Sequence, residues 1–146
     1  MNKEITDITK NAKEASRKLM WEATTELKNR ALIAMADALA AGSKEIFAAN
    51  EKDLKAARAK KLSAALVDRL VINDKRLKSM SDSLRSIARL DDPVGRVIST
   101  EKRPNGLVIN KVRVPIGVIC IVYESRPNVT SDCVGLCLKS GNAVIL

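Results

Sequence analysis

The sequence predicts an α/β fold in which a helical layer and a β-hairpin precede one βαβ unit. Three observations carry this prediction. Residues 1 to about 90 are rich in Ala, Lys, Leu and Glu and contain a single Gly and no Pro, which is helical composition. Two β-branched segments then flank Arg103-Pro-Asn-Gly106. Residues 115–146 show the pattern strand, polar loop, helix, strand.

The first clear helix boundary is expected at Gly42. Upstream of it an apolar stripe recurs at i, i+3 and i+7, formed by Leu32, Met35 and Leu39. Gly42 suits the residue that follows a helix ending near Ala41. Ser43 is then a plausible N-cap for the next helix.

Two further helices are predicted before residue 93. Ser63 is expected to cap a short helix, and Asn73 or Asp74 begins another. Asp91-Asp-Pro93 ends the latter, because the residue before Pro is biased away from the helical region. Its apolar positions recur at i, i+3, i+7 and i+10: Leu77, Met80, Leu84 and Ile87.

A β-hairpin is predicted next, from Val94–Thr100 and Leu107–Val114. The Asn-Gly pair within Arg103–Gly106 is the strongest short-range hairpin signal when such segments flank it. We expect a structural or subunit-contact role for this hairpin.

The last 32 residues predict a βαβ unit. Ile116–Val122 is nearly all apolar, which is typical of a strand buried on both faces of a parallel sheet, and it contains Cys120. A helix is expected from about Val129 to Lys139, with Gly141 as its stop, and the next strand begins at Ala143. The chain thus divides into a helical segment (1–92), a hairpin (93–114) and an incomplete βαβ unit (115–146).

Composition excludes several classes of protein. With 46% hydrophobic and 29% charged residues the chain is globular in composition, and no apolar run approaches the roughly 20 residues of a membrane helix. The N-terminus lacks the apolar stretch of a secretory signal. Three cysteines, an odd and sparse number, favour free thiols in a reducing compartment. We therefore predict a cytoplasmic protein without a membrane partner.

The net charge of +9 raises the alternative of a non-catalytic basic helical binding module, directed to nucleic acid. The positive residues are interleaved with acids, and three aromatic residues offer no stacking platform for single strands. We expect a solvated helical surface and no nucleic-acid partner.

Common catalytic and metal-binding motifs are missing from the sequence. There is no His, which excludes a His-based triad or a His-ligated metal, and no Gly-rich phosphate loop of the Rossmann or P-loop type. Cys133 and Cys137 are four residues apart. Two ligands are too few for a metal site, so both are interpreted as small core residues. No metal is predicted.

The loop Tyr123–Asn128 is the candidate site, because ligands of open α/β sheets bind at the carboxyl ends of strands. Arg126 can bind a carboxylate or phosphate with its planar fork, and the Asn128 amide can donate to a developing oxyanion. The alternative is a capping loop, in which Asn128 and Ser125 satisfy backbone groups and Arg126 pairs with Glu124. The residues alone leave both interpretations open.

The string Tyr123-Glu-Ser-Arg-Pro-Asn-Val-Thr130, with Pro115-x-Gly-Val before it and Lys139-Ser-Gly-Asn-Ala-Val-Ile-Leu146 after it, resembles the γ-glutamyl phosphate reductase (glutamate-5-semialdehyde dehydrogenase) family. That family belongs to the aldehyde dehydrogenase superfamily. Upstream segments are also similar and extend the resemblance over essentially the whole chain: Ala12-Lys-Glu-Ala-Ser16, Asn50-Glu-Lys-Asp-Leu54, Leu66-Val-Asp-Arg-Leu70 and Asp91-Asp-Pro-Val-Gly95.

The resemblance implies an NADPH-dependent reduction of L-glutamyl 5-phosphate to the 5-semialdehyde, with phosphate release, in proline biosynthesis. A cysteine thiolate attacks the acyl phosphate and hydride reduces the resulting thioester. Asn128 would be the oxyanion donor. The loop would run past the nicotinamide end of the cofactor and contact it through Glu124, Ser125 and Arg126. We also hypothesise, from its charge, that Arg126 binds the substrate.

The resemblance also implies that the chain is the N-terminal part of a longer, Rossmann-like, self-associating enzyme. Family members are much longer, and their nucleophilic Cys lies in a segment that this sequence does not contain. None of the three cysteines here matches it, so we expect no reductase activity from these 146 residues alone. The hairpin is expected to contribute to a homo-oligomer of the full-length protein.

Overall fold

The computed structural model describes residues 3–124 and 126–146 and follows the predicted order of elements. Five helices come first, then a hairpin, then a strand, a helix and a strand. Their bounds are α1 (Lys3–Glu22), α2 (Thr25–Ala41), α3 (Ser43–Ala59), α4 (Ala64–Leu70), α5 (Asp74–Arg89), β1 (Val97–Lys102), β2 (Val108–Val112), β3 (Val118–Cys120), α6 (Pro127–Lys139) and β4 (Ala143–Ile145).

Side-chain caps fix three of the helix starts. Thr24 accepts a hydrogen bond from the Leu27 amide and begins α2, a boundary that the apolar stripe did not reveal. Ser63 and Asn73 cap α4 and α5, as predicted. The prediction for Ser43 was wrong, because it is the first residue of α3 and makes no capping bond.

The core lies where α2, α5 and α6 meet. Leu32 and Leu84 are both 0% exposed, and the predicted apolar face of α5 is buried throughout. Gly135 lets α6 approach closely, since a Cβ there would lie 2.9 Å from Leu84 Cδ2 and 3.0 Å from Ile87 Cδ1.

The hairpin of β1 and β2 is antiparallel and exposed along its whole length. Its register runs from Val97 opposite Val112 to Lys102 opposite Val108, with one irregularity near Ile98. Gly106 occupies the turn with φ +85°, a conformation that glycine adopts without steric cost. The predicted hairpin is therefore confirmed.

Strands β3 and β4 pair in parallel with α6 between them, which confirms the βαβ unit. The prediction of a long, doubly buried strand was wrong. Strand β3 has three residues, Cys120 is exposed, and Ile116 and Val122 are 83% and 95% exposed. Helices α1 and α6 both pack against β4, whereas no strand among the described residues pairs with the other edge of β3.

Two buried lysines, which the sequence analysis did not single out, join the helical layer to the rest. Lys28 Nζ lies 2.5 Å from Asp92 Oδ2, in the segment that leads into the hairpin. Lys139 Nζ donates to Asn29 Oδ1 at 2.5 Å and to the Ala88 carbonyl at 2.9 Å. Each side chain is about 3% exposed, so these contacts tie α2 to the hairpin segment and to α6. Within the described ranges, no helix has the length and apolarity to cross a membrane.

Candidate functional site

The loop between β3 and α6 leaves the carboxyl end of the strand and enters the helix directly. The Ile121 amide donates to the Ile145 carbonyl at 2.9 Å, which keeps the loop start on the sheet. Helix α6 begins at Pro127, two residues earlier than predicted, and Arg126 occupies the N-cap position without a side-chain capping bond. Pro suits this first helical position because its missing N–H would have had no helical partner.

Asn128 is an exposed residue of the first turn of α6. Its main-chain carbonyl accepts a hydrogen bond from Ser131 Oγ at 2.9 Å. Its side-chain amide makes no hydrogen bond to any residue that the structure describes, and it faces a cavity of about 280 Å³. The capping role left open for Asn128 is therefore not what the fold uses.

Glu124 and Arg126 do not form the ion pair of the capping alternative. Glu124 Oε2 instead accepts from Arg69 Nη1 at 2.9 Å, across 55 positions of sequence. The two residues are joined only through their main chains, where the Arg126 amide donates a hydrogen bond to the Glu124 carbonyl at 2.6 Å. Within residues 3–124 and 126–146 the Arg126 guanidinium has no partner. Ser125, the remaining predicted cofactor residue, lies outside the described residues.

The loop is also tied to α6 from its other side. Tyr123 Oη and Thr130 Oγ1 lie 2.6 Å apart, so one hydroxyl donates to the other. This bond and the Arg69–Glu124 pair hold the loop at two adjacent residues, Tyr123 and Glu124, shortly before Arg126.

The cavity at Asn128 lies between the start of α6, the end of α4 and the beginning of α5. Ten residues line it: Asp68, Arg69, Val71, Ile72, Arg76, Ser79, Met80, Arg126, Pro127 and Asn128. Three guanidinium groups therefore face one small space, with one carboxylate opposing them. Such a site favours an anionic ligand.

Buried hydrogen bonds fix the α4 wall of this cavity. Asn50 is 6% exposed, donates from Nδ2 to the Leu70 carbonyl at 2.8 Å and accepts from the Ile72 amide at 2.8 Å. Arg76 donates to the carbonyls of Asp68 and Val71 and pairs with the Asp68 carboxylate at 3.0 Å. These bonds satisfy the carbonyls at the end of α4, which a helix leaves without internal partners.

The sequence analysis proposed Asn128 and Arg126, which line this cavity, but not Arg69 and Arg76, which line it as well. A signal existed for Arg69 alone, since Leu66–Leu70 is among the segments that carry the family resemblance. Nothing in the linear spacing placed that segment beside the loop, because the two meet only in the folded chain, where α5 packs against α6 and Arg69 reaches Glu124.

The cysteines take no part in this cavity. Cys137 is buried in α6, where burial and the neighbouring Cys133 raise the pKa of its thiol, so it is a core residue as predicted. Cys120 is exposed at the end of β3, which corrects its assignment to a buried core position. The part of the chain that the structure describes contains no cluster of His, Cys, Asp or Glu suited to a metal ion.

The chain is similar in sequence to curated enzymes of known name. It is 57% identical over 143 residues to the gamma-glutamyl phosphate reductase of Caldanaerobacter subterraneus subsp. tengcongensis, covering 98% of this chain and 34% of that protein. It is 51% identical over 146 residues to the gamma-glutamyl phosphate reductase of Syntrophomonas wolfei, covering 100% and 35%. The chain thus spans about a third of the length of the curated relatives it matches. No protein-family model matches it.

The fold is similar to solved structures that carry the same name. The crystal structure of gamma-glutamyl phosphate reductase from Thermotoga maritima matches with a TM-score of 0.92 at 45% identity, over 97% of this chain and 34% of that one. The Saccharomyces cerevisiae enzyme matches with a TM-score of 0.90 at 35% identity, over 96% and 35%. The helical layer, hairpin and βαβ unit therefore have the arrangement found in that part of these enzymes.

Proposed function

We propose that this chain supplies part of a γ-glutamyl phosphate reductase. Nearly all of the chain is similar to a segment that makes up about a third of the length of each matched enzyme. The reaction is the NADPH-dependent reduction of L-glutamyl 5-phosphate to L-glutamate 5-semialdehyde, with release of phosphate, in proline biosynthesis. The cavity at the start of α6, with its basic lining and unbonded amide, supports an anionic acyl substrate at this place.

The observation that carries the proposal is the Asn128 side chain. Attack on an acyl carbon places negative charge on the carbonyl oxygen, and a preorganised donor stabilises that charge. The Asn128 amide is exposed, has no partner among the described residues, and sits on a helix whose first turn is stiffened by Pro127. Its N–H donors are therefore not committed to another described acceptor and are available to an oxyanion that forms beside them.

The residues around the loop also fit an anionic cofactor. Arg126 carries a guanidinium without a described partner and lines three adjacent cavities. When bound, the nicotinamide supplies the hydride, and Glu124, Ser125 and Arg126 would border that end of the cofactor. The thiolate nucleophile is proposed to come from outside these 146 residues, because Cys137 is buried and no cysteine lines the Asn128 cavity.

A full-length reductase that carries this chain as residues 1–146 tests the proposal. Asn128→Ala should lower kcat about 100- to 1,000-fold, the usual cost of one oxyanion donor. The assay follows the reverse reaction, in which L-glutamate 5-semialdehyde, phosphate and NADP⁺ give L-glutamyl 5-phosphate and NADPH. Thr100→Ala, an exposed polar residue of the hairpin, is the matched control and should leave kcat unchanged. Equal activity of the Asn128→Ala enzyme would refute the assignment, and a parent enzyme without activity would refute the function.

We also propose that the hairpin contributes to a homo-oligomer of the full-length protein. Both of its strands are exposed along their length and include Val108 and Val112, two apolar residues on one face of β2. Replacing both with Lys should reduce the mass in solution, measured by light scattering, because charges oppose burial at a subunit contact. An unchanged mass would contradict this role.

No nucleic-acid or membrane partner is part of the proposal. Some basic side chains of the helical layer pair with carboxylates, as in the pairs Arg85–Asp37 and Lys78–Asp82, and basic residues are interleaved with acids along the sequence. We propose a cytoplasmic location because an odd, sparse number of cysteines favours free thiols in a reducing compartment. Salt-sensitive retention of the chain on immobilised DNA would favour the alternative, a basic binding module.

A further inference from the structure

Arg69 stands between two cavities of the candidate site. It lines the Asn128 cavity of about 280 Å³ and a neighbouring one of about 240 Å³. Arg126 lines both as well, from the opposite element. The second cavity adds the apolar side chains of Leu62, Leu66 and Leu70 and the Glu124 carboxylate, which pairs with Arg69. An elongated ligand with two anionic groups joined by an aliphatic chain can contact both guanidinium groups and the leucine side chains.

The three arginines differ in how many donors remain free. Arg76 is committed to the end of α4, with bonds to two carbonyls and to the Asp68 carboxylate. Arg69 uses only Nη1, in its 2.9 Å bond to Glu124, and its side chain is 44% exposed. Arg126 has no described partner. Two guanidinium groups, on two different elements, are thus available to a ligand.

The substrate in the proposed function also has two anionic ends. Its acyl phosphate must lie beside Asn128, because the acyl carbon reacts there, and Arg126 is two residues away in the same loop. The α-carboxylate lies at the far end of a short aliphatic chain. We infer that Arg69 binds the α-carboxylate of L-glutamyl 5-phosphate and so selects an α-amino-acid substrate; this inference rests on the proposed function.

Glu124 is the positioning residue in this assignment. Its carboxylate anchors one corner of the Arg69 guanidinium and leaves the Nε and Nη2 donors for a carboxylate with fork geometry. An ammonium group in place of the guanidinium has no such planar pair of donors. Charge alone is therefore insufficient, and Arg69→Lys should recover only part of the affinity.

The test compares two aldehydes in the reverse reaction of the full-length reductase that carries this chain. One is L-glutamate 5-semialdehyde, and the other is 4-aminobutanal, the same molecule without its α-carboxylate. Arg69→Ala should raise KM for the semialdehyde about 10- to 100-fold, the effect of losing a charged hydrogen-bonded contact, while kcat stays near that of the parent. KM for 4-aminobutanal should change less than about threefold.

Arg85→Ala is the matched control, since Arg85 is also a half-exposed arginine paired with one carboxylate, Asp37, away from these two cavities. It should leave both KM values unchanged. Glu124→Gln, which keeps Arg69 but weakens its anchor, should raise KM for the semialdehyde less than Arg69→Ala does. An equal rise for both aldehydes, or no rise for either, overturns the assignment of Arg69 while leaving the proposed function standing. A parent enzyme inactive on the semialdehyde overturns both.

Discussion

Helix α5 and the β1–β2 hairpin are neighbours in sequence but are held by different forces. The helix buries its whole apolar face against α2 and α6, with Leu84 fully enclosed. The hairpin buries none of its strand residues and is held by its own ladder and turn. Both elements were nevertheless predicted from the sequence. Prediction therefore did not depend on whether tertiary packing or local hydrogen bonding stabilises the element.

The difference has a consequence for stability. Burial of apolar area is the dominant favourable term in folding, whereas an isolated two-stranded hairpin is marginal in water. The free energy of unfolding should therefore depend strongly on α5 and weakly on the outward side chains of the hairpin.

Leu84→Ala should break the packed region and has the largest expected effect. The side chain is fully buried between α2 and α6, so its removal leaves a cavity and should cost about 3–4 kcal/mol. Val108→Ala, at an exposed strand position, should change stability by less than about 0.5 kcal/mol. Urea unfolding followed by circular dichroism measures both. Similar losses for the two variants would contradict the division between packed and self-supporting regions.

Asp92→Asn tests the joint between the two regions. Asp92 is nearly buried; desolvation would raise the pKa of its carboxyl, but hydrogen bonds from Lys28, Val94 and Thr25 outweigh it and the pKa is lowered from 3.8. Losing the charge leaves Lys28 buried without its counter-charge and should cost about 2–3 kcal/mol.

The lowered pKa fixes the sign of the pH dependence. A carboxyl whose folded pKa lies below its unfolded value stabilises the fold fully above pH 3.8, and this contribution disappears as the pH falls through the folded value. Acid titration of the unfolding midpoint should therefore show a smaller decrease for Asp92→Asn than for the parent. Parallel titration curves would show that Asp92 does not contribute.

Two glycines with similar φ angles, one in each region, allow the same comparison with the smallest expected change in stability. Gly141 in the packed βαβ unit has φ +74°, and a Cβ there would lie 2.9 Å from Pro115 Cγ. Gly106 in the hairpin turn has φ +85° with open space around it. Gly141→Ala should cost about 2 kcal/mol, and Gly106→Ala about 1 kcal/mol from backbone strain alone.

Amide hydrogen exchange separates the two glycine effects. The Gly106→Ala penalty should be confined to faster exchange of the β1–β2 ladder, whereas the Gly141→Ala penalty should extend to α6 and β4. Global destabilisation by Gly106→Ala would show that the hairpin is coupled to the core more tightly than its exposed surface indicates.

The candidate site was only half predictable. Asn128 and Arg126 lie on a contiguous loop whose position at a strand end follows from the βαβ pattern. Arg69 lines the same cavity from α4, and Arg76 lines it from α5. Hydrogen bonds from the side chains of Asn50 and Arg76 fix the end of α4 at this position. Contacts across 55 positions leave no trace in periodicity or spacing.

The sequence by itself determined the order of elements, the caps at Ser63 and Asn73, the hairpin turn and the βαβ unit, because each depends on residues close together in the chain. Tertiary structure alone decided that Cys120 and Ile116 are exposed, that Glu124 pairs with Arg69, and that Lys28 and Lys139 are buried. These outcomes depend on which surface of another element lies opposite. An apolar run shows that a segment can be buried, but only the packed fold determines what covers it.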